Sequence, residues 1–272
     1  MKKILLTLIL LNSLALCDQS LEDKKKQINL TKQKIEELQT SLKVLEASLP
    51  KQIKRDKGIK THAEFGYVNN KGNTNAESFT LDAKIKKTWN KHSLNFSVDS
   101  EYTSDDGEDT KNKYLLELTY DYKLTQKLFF LYLTGYKYDE FSGYDYQAYT
   151  GPGLNYIAVD LAKHKLELGS NILYSIDKAQ DTQETYKYIS YRAKAFYSWQ
   201  ILENLKFEEK LTYRTDLSQM NNFFVFSKTA FISKLTDIFS VSLSYKIDYV
   251  NKPEDDKKTS DRTMGANLIA DF

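Results

Sequence analysis

From residue 61 to residue 272, apolar and polar side chains alternate within one segment after another. Phe79, Leu81, Ala83 and Ile85 alternate with Ser78, Thr80, Asp82, Lys84 and Lys86. Leu94, Phe96, Val98 and Tyr102 alternate with Asn95, Ser97, Asp99 and Glu101. Tyr114, Leu116, Leu118, Tyr120 and Tyr122 do so with Lys113, Glu117, Thr119 and Asp121, and Phe239, Val241, Leu243, Tyr245, Ile247 and Tyr249 with serines and Lys246. An extended chain sends successive side chains to opposite faces, so each run reads as a strand with one apolar and one polar face. The pattern predicts twelve strands, at 61–69, 76–89, 93–103, 113–123, 128–139, 146–157, 165–176, 186–199, 204–215, 223–234, 238–250 and 262–272.

A soluble sandwich or barrel also alternates, so other features must choose the solvent. Tight polar turns are expected near Asn90-Lys91, Thr125-Gln126, Lys163-His164, Glu203-Asn204 and Thr236-Asp237. Longer polar loops are expected at 104–112, 177–185 and 251–261. Short turns on one rim, longer loops on the other and strands of about ten residues describe a transmembrane barrel. Such a sheet must close, because an open edge in lipid leaves backbone groups unpaired. The 20 Tyr and 14 Phe gather near strand ends, where interfacial girdles sit. The expected fold is therefore all-β: a 12-stranded antiparallel transmembrane β-barrel over 61–272, preceded by an α-helical coiled-coil segment. Mean hydropathy is only −0.56 because it averages two opposed faces.

The N-terminal residues follow other rules. Lys2 and Lys3 precede an apolar stretch from Ile4 to Leu16, and Ala15-Leu16-Cys17 suits a cleavage site. Residues 1–17 read as a secretory signal peptide. Leu16 is large for a residue preceding a lipidated cysteine, which favours removal of Cys17 over its lipidation. Cleavage would leave equal numbers of basic and acidic residues, 37 of each. In 18–49, Leu21, Ile28, Ile35, Leu42 and Leu49 recur every seven residues, with Leu38 and Leu45 at the later d positions. This heptad pattern predicts a periplasmic coiled coil that joins copies of the chain. Pro50 ends it, and 50–60 reads as a polar linker.

On the barrel, placing apolar faces outward turns the charges inward. The expected lumen is acidic on one side, through Glu64, Asp82, Asp99, Glu101, Glu117, Asp121 and Glu167, with Lys84, Lys86 and Lys113 as exceptions. It is basic on the other, through Arg192, Lys194, Lys206, Lys210, Arg214, Lys228 and Lys246, with Glu208 as the exception. These walls could pair and fill a narrow lumen, or leave a small channel with a transverse field. Twelve strands lie between small filled barrels and open porins. Two placements stand out. Glu209 falls among Phe207, Leu211 and Tyr213 on the lipid face, where a bulge would re-aim it. The tenth strand is apolar on both faces; setting Phe223, Val225 and Phe231 outward sends Lys228 and Lys234 inside.

Other chemistry finds little support. Near-neutral charge argues against a nucleic-acid partner. His62, His92 and His164 are dispersed along the tight-turn rim, unlike a catalytic or metal-binding set, so neither enzyme activity, nor a metal, nor a cofactor is expected. Asp105, Asp106, Glu108 and Asp109 do not have the spacing of a calcium loop. Met264, Ala266, Leu268, Ala270 and Phe272 share one face. That ending looks like the C-terminal signature through which a final Phe is recognised by the barrel assembly machinery. Besides that machinery, outer-membrane lipid is the expected partner.

Two short stretches resemble a known family. Glu64-Phe65-Gly66 with Lys71-Gly72-Asn73-Thr74-Asn75, and Gly151-Pro152-Gly153-Leu154-Asn155-Tyr156, are similar to motifs of the salt-induced outer membrane proteins, domain of unknown function family 481. The resemblance covers about 61–272 and implies a bacterial outer-membrane barrel with no settled activity. Structural or stress-related duty and a small-solute porin, trimerised by the coiled coil, are the two functions it leaves open.

Overall fold

A computed structural model of the chain describes residues 58–70, 76–253 and 259–272, and, toward the N-terminus, residues 26, 29, 32–34, 36–37 and 40–41. The expected signal peptide, Cys17, residues 50–57 of the linker and all seven heptad residues (Leu21, Ile28, Ile35, Leu38, Leu42, Leu45 and Leu49) lie outside the described residues.

The alternating segments become twelve strands. They are β1 (Ile59–Asn70), β2 (Ala76–Trp89), β3 (His92–Asp105), β4 (Glu108–Lys123), β5 (Leu128–Asp139), β6 (Tyr144–Asp160), β7 (His164–Ala179), β8 (Thr185–Leu202), β9 (Leu205–Asp216), β10 (Phe223–Lys234), β11 (Phe239–Val250) and β12 (Ser260–Asp271). Each is antiparallel to its neighbours in sequence, and β1 pairs with β12 to close the barrel. The closing ladder is short, running from His62↔Asp271 to Phe65↔Leu268. Phe272 extends it: Thr61 N donates to Phe272 O at 2.9 Å, and Phe272 N to Thr61 O at 3.0 Å.

The barrel is apolar outside. Phe65, Ile85, Phe96, Leu118, Leu154, Ile172, Leu211, Phe231 and Leu243 are all exposed. A soluble barrel would bury such a band, whereas lipid covers it. Aromatic residues gather at both rims. At the tight-turn rim, Trp89 stacks on His92 with centroids 5.8 Å apart, and Trp199 stacks on His164 at 5.8 Å. At the opposite rim, Tyr114, Tyr136, Tyr138 and Tyr146 form a stacked row.

One expected loop is not a loop. Residues 104–112 form the ends of β3 and β4, joined at Asp106-Gly107. Both turn residues have positive φ, 49° and 86°, as a two-residue type I′ hairpin requires. Acidic residues on both faces hide the period of two there, although the ladder continues past a register shift at Thr103/Ser104. The loop expected at 177–185 also shortens, since β7 runs to Ala179 and β8 begins at Thr185. No bulge re-aims Glu209. It pairs in register with Thr229 and Tyr197 and stays on the outer face. Its carboxylate accepts from Ser227 Oγ at 2.8 Å and Thr229 Oγ1 at 2.5 Å.

Candidate functional site in the lumen

The inward residues meet across the barrel. Lys228 on β10 donates to Glu64 on β1 at 2.5 Å and to Asp82 on β2 at 3.2 Å. Glu64 also accepts from Ser242 and from Asn267, each at 2.6 Å, so one carboxylate ties β1 to β10, β11 and β12. Lys246 on β11 reaches Asp99 at 3.1 Å and Glu101 at 2.9 Å, both on β3. Glu101, only 2% exposed, also faces Lys111 at 3.3 Å and Lys113 at 3.4 Å. Lys113 on β4 pairs with Asp248 on β11. Arg192 on β8 holds Glu117 on β4 at 2.9 Å. Apart from Lys111 and Lys113 on β4 and Asp248 on β11, acids on β1–β4 thus face cations on β8–β11. Charges out of water need partners and hydrogen bonds, and opposed walls supply both.

Other inward charges have local partners or none. Asp121 accepts from Ser93 at 3.1 Å, and Glu167 pairs with Lys165 at 2.6 Å on its own strand. Lys206 pairs with Glu208 at 2.7 Å. Lys194 and Lys210 form no ion pair among the described residues. Lys210 instead lies over the Phe226 ring, 5.2 Å from its centroid. Arg214 approaches Asp177 only to 3.9 Å, and its guanidinium lies against Tyr149 at 5.1 Å and Phe224 at 4.6 Å. A cavity of about 140 Å³ opens beside Lys210, Thr212 and Arg214, with Tyr149 and Phe224 also on its wall.

The wall formed by β4–β7 is filled differently. Leu131, Leu133, Tyr149 and Leu173 form an apolar cluster inside the barrel, with Leu115 packed against it. Tyr149 lies across Gly135, its cross-strand neighbour: a Cβ there would stand 2.3 Å from the ring. A glycine under an aromatic ring lets the ring lie flat on the sheet. The Tyr149 hydroxyl then donates to Glu117 at 2.7 Å, which ties the apolar cluster to the Arg192 ion pair.

Several lumen groups have a weaker signal in sequence. Asp177 falls in the expected loop 177–185, yet it is 2% exposed and accepts from Gln147 at 2.9 Å and Tyr188 at 2.6 Å. Leu131 and Leu133 sit on a strand that is apolar on both faces, so alternation assigns neither inward. Asp248 follows the inward parity of Lys246, a signal present in β11 itself. The three histidines stay apart at the tight-turn rim: His62 meets Asp271 at 2.8 Å, His92 meets Tyr120 at 2.6 Å and His164 meets Tyr197 at 2.8 Å. No group of three or more potential metal ligands occurs among the described residues.

A family profile described as "Protein of unknown function, DUF481" matches residues 63–272, nearly the whole barrel. The chain belongs to the DUF481 family. No curated protein matches it. Among solved structures, this DUF481 chain is similar to an outer membrane channel from Pseudomonas putida F1, at 8% identity and TM-score 0.50, over 79% of this chain and 95% of that one. It is also similar to the NanC porin, at 12% identity and TM-score 0.47, over 78% of this chain and 98% of the other. The KdgM porin aligns at 10% identity and TM-score 0.42, over 79% of this chain and 99% of that chain. At such identities the first likeness shows an outer-membrane type of barrel fold and nothing about solutes.

Proposed function

We propose that this DUF481 chain is a structural or stress-related barrel of the bacterial outer membrane whose narrow lumen is filled by its own charges. One observation carries the reading: ion pairs cross the lumen from β8, β10 and β11 to β1–β4, through Lys228–Glu64, Lys246–Glu101 and Arg192–Glu117. A channel for hydrated solutes leaves such charges facing water; here they face each other. In this reading residues 1–17 direct export, Phe272 presents the chain to the assembly machinery, and the heptads of 18–49 join copies on the periplasmic side. Proteoliposome swelling tests it. Vesicles carrying the purified chain are expected to swell in small sugars no faster than protein-free vesicles; porin-like rates contradict the reading. Deleting residues 21–49 is expected to lower the particle mass in detergent, and an unchanged monomer mass contradicts the oligomer.

A second reading, a narrow channel for small solutes, is favoured by the cavity beside Arg214. It requires swelling above background that falls when the cavity's cations are removed.

A further inference from the structure

We propose that the tight-turn rim carries two phospholipid sites, each of which holds a headgroup phosphate on a histidine. The same cluster occurs there twice. At the β2–β3 turn, His92 is the cross-strand partner of Trp89 and stacks on it at 5.8 Å and 17°. At the start of β7, His164 is the cross-strand partner of Trp199 and stacks on it at 5.8 Å and 17°. Each Nδ1 meets a tyrosine hydroxyl, Tyr120 at 2.6 Å and Tyr197 at 2.8 Å. Each histidine follows an exposed lysine of the turn, Lys91 or Lys163, that forms no ion pair among the described residues.

The nitrogen that is held decides what the other one does. Nε2 of each ring has no hydrogen-bond partner among the described residues and is open to solvent. An anion at Nε2 selects the tautomer in which the tyrosine hydroxyl donates to Nδ1 and the ring proton sits on Nε2. The result is an oriented N–H beside an ammonium, two donors suited to the oxygens of a phosphate. His62, at the same rim, differs: it shares the inward face of Glu64 and already holds Asp271 at 2.8 Å.

The surroundings choose a lipid over a free ion. Trp and Tyr rings at a barrel rim sit at the level of the headgroups. On the outer face His92 continues into Leu94 and Phe96, and His164 into Leu168 and Ile172, all four exposed. An acyl chain lying on such a strip brings its phosphate to the imidazole, whereas a free phosphate gains nothing from the strip. The short turns of a bacterial barrel face the periplasm, so both sites belong to the periplasmic leaflet. The inference rests on the outer-membrane barrel and not on a filled lumen, so swelling assays leave it untouched.

Trp89 and Trp199 are the chain's two tryptophans, so fluorescence reads each site alone once the other is removed by Trp199→Phe or Trp89→Phe. The full chain, purified in dodecyl maltoside, is titrated with phosphatidylglycerol brominated in its acyl chains, which quenches a nearby indole. Saturable quenching is expected at both sites, and brominated diacylglycerol, which lacks the phosphate, is expected to need about tenfold more. His92→Phe keeps a ring on Trp89 and removes the N–H; with Trp199→Phe it is expected to raise the half-saturating lipid about tenfold, and Lys91→Gln about fivefold. His164→Phe and Lys163→Gln are expected to do the same with Trp89→Phe, and His62→Gln to change neither site. Folding of each variant is checked by its heat-dependent gel mobility; should the histidine variants not fold, Lys91→Gln and Lys163→Gln carry the test. Equal quenching by the phosphate-free lipid, or unchanged half-saturation in the folded variants, overturns the phosphate sites. Displacement of the lipid by inorganic phosphate at equal concentration overturns the choice of a lipid.

Discussion

Two parts of the same lumen are filled by opposite means. Between β1–β4 and β8–β11, charged side chains reach across and pair, as with Lys228 on Glu64 and Lys246 on Glu101. Along β4–β7, Leu131, Leu133 and Leu173 pack with Tyr149 as in a soluble core. Apolar packing needs only shape and dryness. The ion pairs need partners at set positions on different strands, so they fix which walls face each other. Tyr149 joins the two parts by packing in the cluster and donating to Glu117.

Substitutions separate the two parts. The largest effect is expected from Glu101→Ala, which strips Lys246, Lys111 and Lys113 of a shared partner. Removing one side of a buried pair costs about 3–5 kcal/mol, and urea unfolding of the refolded barrel in detergent would read it. A loss below about 1 kcal/mol would mean that water already screens these charges. Leu173→Ala leaves a cavity at a fully buried position and is expected to cost about 3 kcal/mol in the same assay. No measurable loss there would mean that the apolar cluster is slack. Gly135→Ala is expected to cost about 1–3 kcal/mol by pushing the Tyr149 ring off the sheet. Combining it with Tyr149→Ala should recover part of that cost, and simple additivity would refute the contact. The smallest effect is expected at the outer face: Glu209→Leu exchanges two hydroxyl contacts for a better lipid surface, within about 1 kcal/mol and in the stabilising direction. A loss above about 2 kcal/mol would instead make the cradle of Ser227 and Thr229 a stabilising feature.

The barrel was legible because a period of two needs no knowledge of partners. β2, β5 and β10 begin and end where alternation and turn residues place them, at 76–89, 128–139 and 223–234. The end of β3 was not, because Asp105 and Glu108 lie where both faces are polar and only Asp106-Gly107 marks the hairpin. In the lumen, alternation assigns Glu64 and Lys228 to one face but cannot say that they meet, since their pairing depends on barrel closure 164 residues apart in sequence. It is silent on Leu131 and Leu133, whose strand is apolar on both sides. The orphaned Nη1 of Arg214 is beyond any sequence pattern, because being unpartnered is a property of the surroundings.

If cross-wall ion pairs close this lumen, conductance tests that most directly. The purified chain and a variant carrying Arg192→Ala, Lys228→Ala and Lys246→Ala are to be recorded in planar bilayers. No stable conductance steps are expected from the unaltered chain, and resolved steps are expected from the variant, folded as judged by heat-dependent gel mobility. Stable open-pore steps from the unaltered chain, or a folded variant that stays silent, would contradict closure by these pairs.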